Sequence, residues 1–232
     1  MKIKFINTTD LYLEIPQPSD HIIPEWYKKT ESYVGGIKRP SVSSDEETKA
    51  TIKRCMPVFD AITAGYIITS PFDVYVSIRK EDNTQAFQWP DKDKKFIQFH
   101  PIDQAPLHPN KNLYSYPKWL NPWSIVTPKG YSCLFVQPFH RESVFTIFPG
   151  IVDTDNYHSP VNFPFVINNV NFEGMIPKGT PIAQVIPFKR DTWKSTEGNK
   201  KDLSKVNRTI DTIRSMFFDG YKINFWDRKH YK

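Results

Sequence analysis

Twenty prolines against nine glycines in 232 residues constrain this chain more than any other feature of it. Proline has no backbone N–H and a fixed φ, so it breaks helix interiors, and in sheets it is confined to edges, strand ends and turns. A chain punctuated this often reads as short strands joined by many rigid loops. Its aromatic fraction of 15% also favours strands over helices. With 39% apolar residues the chain is globular, and its length suffices for one full core with terminal extensions.

Charge and cysteine usage narrow the partners. Lys and Arg number 31 against 25 Asp and Glu, an excess of six that would suit a nucleic-acid or nucleotide partner. The basic residues are spread along the chain and concentrate only after Lys189, so a soluble surface of mixed sign is the simpler reading. Cys55 and Cys133 have no partner Cys or His at ligand spacing, which implies a reduced, intracellular chain and no metal site. The basic start Met-Lys-Ile-Lys lacks a following apolar segment, and no apolar run is long enough to span a membrane.

Along the chain, Ile3, Phe5, Leu11, Leu13 and Ile15 suggest a strand or two before Pro16 and Pro18. Ile23-Pro24-Glu25-Trp26-Tyr27 reads as a short helical turn, and the overlapping Ser-x-x-Glu signatures at Ser43 and Ser44 predict a helix from about residue 45 to Cys55, ended by Pro57. Ala64 to Val74 predicts two strands hinged at Ser70-Pro71. Residues 81–118 read as a hairpin and a long excursion carrying Trp89, Phe96, Phe99 and Tyr114. Strands resume at Trp123–Val126, turn at Pro128-Lys129-Gly130 and continue through Ser132–Val136 and Val144–Phe148, and Pro177-Lys178-Gly179 launches another from Ile182 to Phe188. Beyond Lys189, Leu203, Val206, Ile210, Ile213 and Phe217 recur at intervals of three and four, the pattern of a long amphipathic helix with Gly220 placed to cap it. The expected organisation is an N-terminal extension over 1–56 packed on a β domain over 57–190, followed by a helical arm over 191–232.

The chemistry gathers in Gly150-Ile151-Val152-Asp153-Thr154-Asp155, with Tyr157 just beyond. In an extended segment the two carboxylates fall on alternate faces. Asp at a hairpin mouth also caps turns, so catalysis and capping stand as equal alternatives at this point. Together with Lys178-Gly179-Thr180-Pro181-Ile182-Ala183-Gln184, these residues resemble two motifs of the deoxyuridine triphosphatase (dUTPase) family. The resemblance implies a mainly β fold, a jelly-roll barrel usually built as a homotrimer, here with an α/β N-terminal extension and a C-terminal amphipathic helix. It implies Asp153 as the base that activates a water, and Asp155, Tyr157 and Gln184 as nucleotide contacts. Arg141 and Ser143 would be phosphate contacts, because Pro138-Phe139-His140-Arg141-Glu142-Ser143 loosely echoes a further motif.

The family pattern is also broken. Ala64-Gly65-Tyr66 aligns with its first motif, but the carboxylate expected next, which organises magnesium, is Ile67, with Asp73 six residues on as the nearest substitute. His158-Ser159 stands where Arg-Gly usually follows the third motif, and the Gly-rich C-terminal arm is missing, leaving Phe225, Trp226 and Arg228 as a stacking substitute. The related dCTP deaminases need a Glu in the strand after the hairpin, where this chain has Phe163 to Val166 and no Glu until Glu173. Ile23-Pro24-Glu25-Trp26-Tyr27-Lys28, Thr63-Ala64-Gly65-Tyr66 and Pro160-Val161-Asn162-Phe163-Pro164 are similar to uncharacterised proteins of tailed bacteriophages.

The expectation is therefore a phage-encoded, non-enzymatic binding or virion-assembly protein with no cofactor, acting in the infected cell or the virion. It would be a homo-oligomer, a trimer by the family precedent, that contacts its own copies through Leu203, Val206, Ile210, Ile213 and Phe217 and binds a virion protein, host factor or nucleotide. The alternative is an active deoxynucleotide pyrophosphatase that keeps Asp153 as base and uses magnesium.

Overall fold

The computed structural model describes residues 1–38, 49–79, 81, 84–91, 93–104, 107–109, 115–216 and 218–232. The Ser43 to Glu47 helix signal, Tyr114 and Phe217 lie outside them. The chain divides into two compact units, one of Met1–Ile22 with Ala64–Arg190 and one of Ile23–Thr63 with Asp191–Lys232.

The first unit is all antiparallel strand: β1 (Lys4–Asn7), β2 (Gln17–Pro18), β3 (Tyr66–Thr69), β4 (Val74–Ile78), β5 (Gln85–Gln88), β6 (Ile97–Pro101), β7 (Ser115–Trp119), β8 (Trp123–Val126), β9 (Tyr131–Val136), β10 (Phe145–Ile147), β11 (Gly150–Val152), β12 (Phe163–Ile167), β13 (Gly174–Ile176) and β14 (Pro181–Lys189). They pair in the orders β11-β9-β14-β3-β2, β10-β12-β7-β6, β13-β4-β5 and β1-β8. The strands are short because proline and glycine punctuate them, as at Ser70-Pro71 between β3 and β4, and at Gly179 (φ +83°), whose turn donates Thr180 N to Pro177 O before β14. Every sheet sends alternate residues into one core: Ile68, Val74, Trp119, Ile125, Phe135, Phe145, Phe165, Ile176 and Val185 are all buried there. Trp119 stacks on Phe165 with ring centroids 4.8 Å apart and 16° between planes. The mainly β, antiparallel class is the one the prolines and aromatics predict, and the C-terminal helix is the one the periodicity beyond Lys189 predicts.

The second unit is helical: α1 (Glu25–Lys29), α2 (Met56–Thr63), α3 (Lys200–Arg214) and α4 (Gly220–Asn224). Phe59 of α2 sits 6.3 Å from the rings of both Tyr27 and Trp226, Trp226 Nε1 donates to both Asp60 oxygens at 3.0 Å, and Arg54 pairs with Asp219.

Several local expectations are corrected. A helix begins at Met56 where one was expected to end, because Pro57 falls in its first turn, where a missing N–H has no intrahelical partner to lose. Residues 11–15 form no strand, and β1 alone represents the N-terminal alternation, paired with β8. Residues 1–22 thus belong to the strand-rich unit, and 23–63 cluster with the C-terminal arm rather than forming a single 1–56 extension. Gly220 does not cap α3, which ends at Arg214 with Ser215 as its C-terminal flanking residue. It starts α4, behind Asp219 in the left-handed region, and a Cβ on it would lie 3.3 Å from the Ile213 backbone. Space, rather than cap geometry, selects glycine there.

Candidate functional site

β11 stops at Val152, and Asp153 to Asn156 turn instead of staying extended: Asn156 N and Tyr157 N both donate to Asp153 O, at 3.0 and 2.8 Å. Asp153 and Asp155 therefore do not point to opposite faces but converge on one cation. Arg190, the residue after β14, donates from Nη1 to Asp155 Oδ1 at 2.8 Å and from Nη2 to Asp155 Oδ2 at 2.5 Å, and its Nη1 lies 3.2 Å from Asp153 Oδ1. The same Nη1 reaches Tyr131 O and Ser132 Oγ, and Ser132 Oγ donates to Asp153 Oδ1 at 2.6 Å.

The pairing of β14 with β9 brings these groups together. It places Lys189 opposite Tyr131, so the next residue meets the Pro128-Lys129-Gly130 turn, where Arg190 N donates to Gly130 O and Gly130 N donates to Asp155 Oδ2 at 2.7 Å. Only 3% of the Asp155 side chain remains exposed, against 59% for Asp153. The Arg190 guanidinium, then the Gly130 amide, hold the Asp155 carboxyl down to about 2 despite this burial. Beneath the turn, Thr154 is fully buried, its hydroxyl 2.7 Å from Thr127 Oγ1 and donating to Cys133 Sγ. Burial pushes the Cys133 thiol up to about 11, which leaves it an inert packing residue.

The other predicted contacts lie at the opposite end of these strands. Gln184 is six residues before Arg190 on β14, roughly 20 Å away at strand rise. It is fully buried, its Oε1 accepting from Phe139 N at 3.0 Å and its Nε2 donating to Ala64 O at 2.7 Å, so it joins the β9–β10 loop to the segment before β3 and presents nothing to a ligand. Arg141 donates to the Ile22 carbonyl, and its half-buried guanidinium is pushed down by desolvation. Ser143 Oγ accepts from Phe145 N at 3.2 Å. Tyr157 is 49% exposed beside Asp153. The turn after β11 thus brings Asp153, Asp155 and Tyr157 together, whereas Arg141, Ser143 and Gln184 each bond to a different backbone group away from it.

The residues do not fit a magnesium site of the dUTPase kind. The Ile67 side chain offers no oxygen and the residue is buried at 1% exposure, Asp73 accepts from Lys178 N at 2.7 Å, and Arg190 already supplies the positive charge between the two carboxylates. Arg190 and Ser132 escape sequence reasoning because nothing in their local spacing marks them. Only the β9–β14 register brings them to the Asp153 turn.

No family model matches the chain, and no curated protein matches it. Among solved structures it is similar to a mutant dUTPase from phage phi11 of S. aureus, a protein that coordinates a structural Mg(II) ion, at 13% identity and a TM-score of 0.32, over 59% of this chain and 84% of that one. Among the described residues, no helix is long and apolar enough to cross a membrane.

Proposed function

We propose that this chain is a phage-type, non-hydrolytic binding or assembly protein that works as a homo-oligomer in the infected cell or the virion. The observation that carries the reading is the Arg190 clamp. A general base needs a carboxylate lone pair aimed at a water, and a magnesium-dependent pyrophosphatase needs carboxylate oxygens free for the metal. Here both Asp155 oxygens accept from Arg190, and the Asp153 oxygen nearest to it is bonded to Ser132 as well. The pair ties the turn after β11 to the ends of β9 and β14, a structural duty. Ile67, buried where the family places a metal-binding carboxylate, supports the same reading.

The alternative, an active deoxynucleotide pyrophosphatase, is favoured by one observation: the Asp153 side chain is 59% exposed beside an exposed Tyr157. A single assay separates the two. Purified protein supplied with magnesium and dUTP, or another deoxynucleoside triphosphate, is expected to release pyrophosphate no faster than buffer. Turnover that disappears in Asp153→Asn overturns the non-hydrolytic reading.

A further inference from the structure

The apolar stripe of α3, Leu203, Val206, Ile210 and Ile213, lies between 39% and 58% exposed, with no walls beside it to define an occupant. The segment from Leu11 to Pro16 has both an open edge and walls. Its side chains follow the period of a strand: Leu11 and Leu13 are half-buried, Leu13 against the main core, whereas Tyr12 and Glu14 are exposed, Tyr12 completely. Both of its ends are pinned. Asn7 Nδ2 donates to Leu11 O at 2.7 Å and Leu11 N to Thr9 Oγ1 at 3.3 Å, while Gln17 Nε2 donates to Ile15 O at 2.9 Å just before β2 joins β3. Between those pins the backbone N–H and C=O groups of Tyr12, Leu13 and Glu14 meet no partner among the described residues. A strand-patterned segment held at both ends with its main chain open is a template for an added strand.

The same residues form one wall of a cleft of 410 Å³, a volume within the range of about 300–1,000 Å³ usual for ligand pockets. Pro71, Phe72 and Trp123 give the cleft an apolar side, and its charged groups are Glu14, Asp73 and Lys178. One carboxylate is therefore in excess on a chain whose net charge is +6. Charge complementarity selects a basic occupant over a phosphate or an acidic peptide. The open main chain beside the apolar wall selects a peptide over a small cation.

We propose that this cleft docks an extended peptide segment of another protein, with alternate apolar side chains and a Lys or Arg, which adds as a strand along Tyr12 to Glu14. An apolar side chain enters against Phe72 and Trp123, and the cation faces Glu14 and Asp73. This goes beyond the non-hydrolytic reading, and its test reads peptide binding rather than pyrophosphate release, so either can fail alone. A displayed library of random peptides, selected on the full chain, is expected to enrich sequences in which apolar residues alternate and at least one Lys or Arg occurs. N-methylation scanned along the enriched peptide is expected to weaken binding about tenfold at alternate residues only, because successive amides of a strand point to opposite edges. Glu14→Lys, a change at an exposed side chain that leaves the circular dichroism as in wild type, is expected to weaken the same peptide about tenfold. Enrichment of no sequence, as when a second copy of this chain fills the cleft, a consensus without a basic residue, a methylation scan without alternation, or wild-type affinity in Glu14→Lys overturns the proposal.

Discussion

Arg190 holds Asp155 through both ends of its guanidinium, at 2.8 and 2.5 Å, and in doing so links the residue that leaves β14 to the turn that follows β11. The contact closes one end of the five-stranded sheet, where β11, β9 and β14 are neighbours. It also sets a pH signature.

Asp155 has its folded carboxyl at about 2 against an ordinary 3.8, so the unfolded chain takes up the proton first as pH falls. The stabilisation is present above a pH of about 4 and is lost as pH falls from about 4 toward about 2. Removing the partner by Arg190→Ala lets the folded carboxyl rise toward its ordinary value. The variant is expected to melt lower than wild type at pH 7 and to lose less of its midpoint between pH 5 and pH 3. Thermal unfolding followed by circular dichroism at those pH values checks this, and parallel curves for the two proteins would contradict it.

Gly65 is expected to tolerate no side chain. Its φ is +67°, and a Cβ would lie 1.9 Å from the Val185 carbonyl oxygen and 2.8 Å from its carbon, backbone atoms of β14 that cannot step aside without breaking the β3–β14 pairing. Gly65→Ala should cost at least ~3 kcal/mol, left-handed strain plus backbone displacement. A urea midpoint unchanged from wild type would refute the packing described.

Gln184 serves as a test of structural against ligand-binding duty. Gln184→Leu keeps the volume but leaves the Phe139 amide without its acceptor and the Ala64 carbonyl with only the Ser19 hydroxyl. The loss of one buried partner costs about 1–3 kcal/mol. A drop of that size in unfolding free energy is expected, whereas a residue kept for contact with a nucleotide would give a stability-neutral variant.

What the sequence determined by itself are the features governed by local chemistry. Proline placement fixed short strands and their breaks, so the hinge at Ser70-Pro71 and the turns at Pro128-Lys129-Gly130 and Pro177-Lys178-Gly179 are where the residues predict them. Periodicity of three and four marked α3 without any neighbour to help, because a helix closes its hydrogen bonds within itself. Only tertiary structure decided the rest. Pro57 permits a helix start as readily as it ends one, and the fold chose the start. Gly220 suits a cap by identity but is held by the nearness of Ile213. Asp153 and Asp155 could cap a turn or activate a water. What the sequence could not show is their pairing with Arg190, 35 residues beyond Asp155, which the β9–β14 register carries to them. Strand pairing is non-local, so no window of sequence around the carboxylates contains the cation that neutralises them.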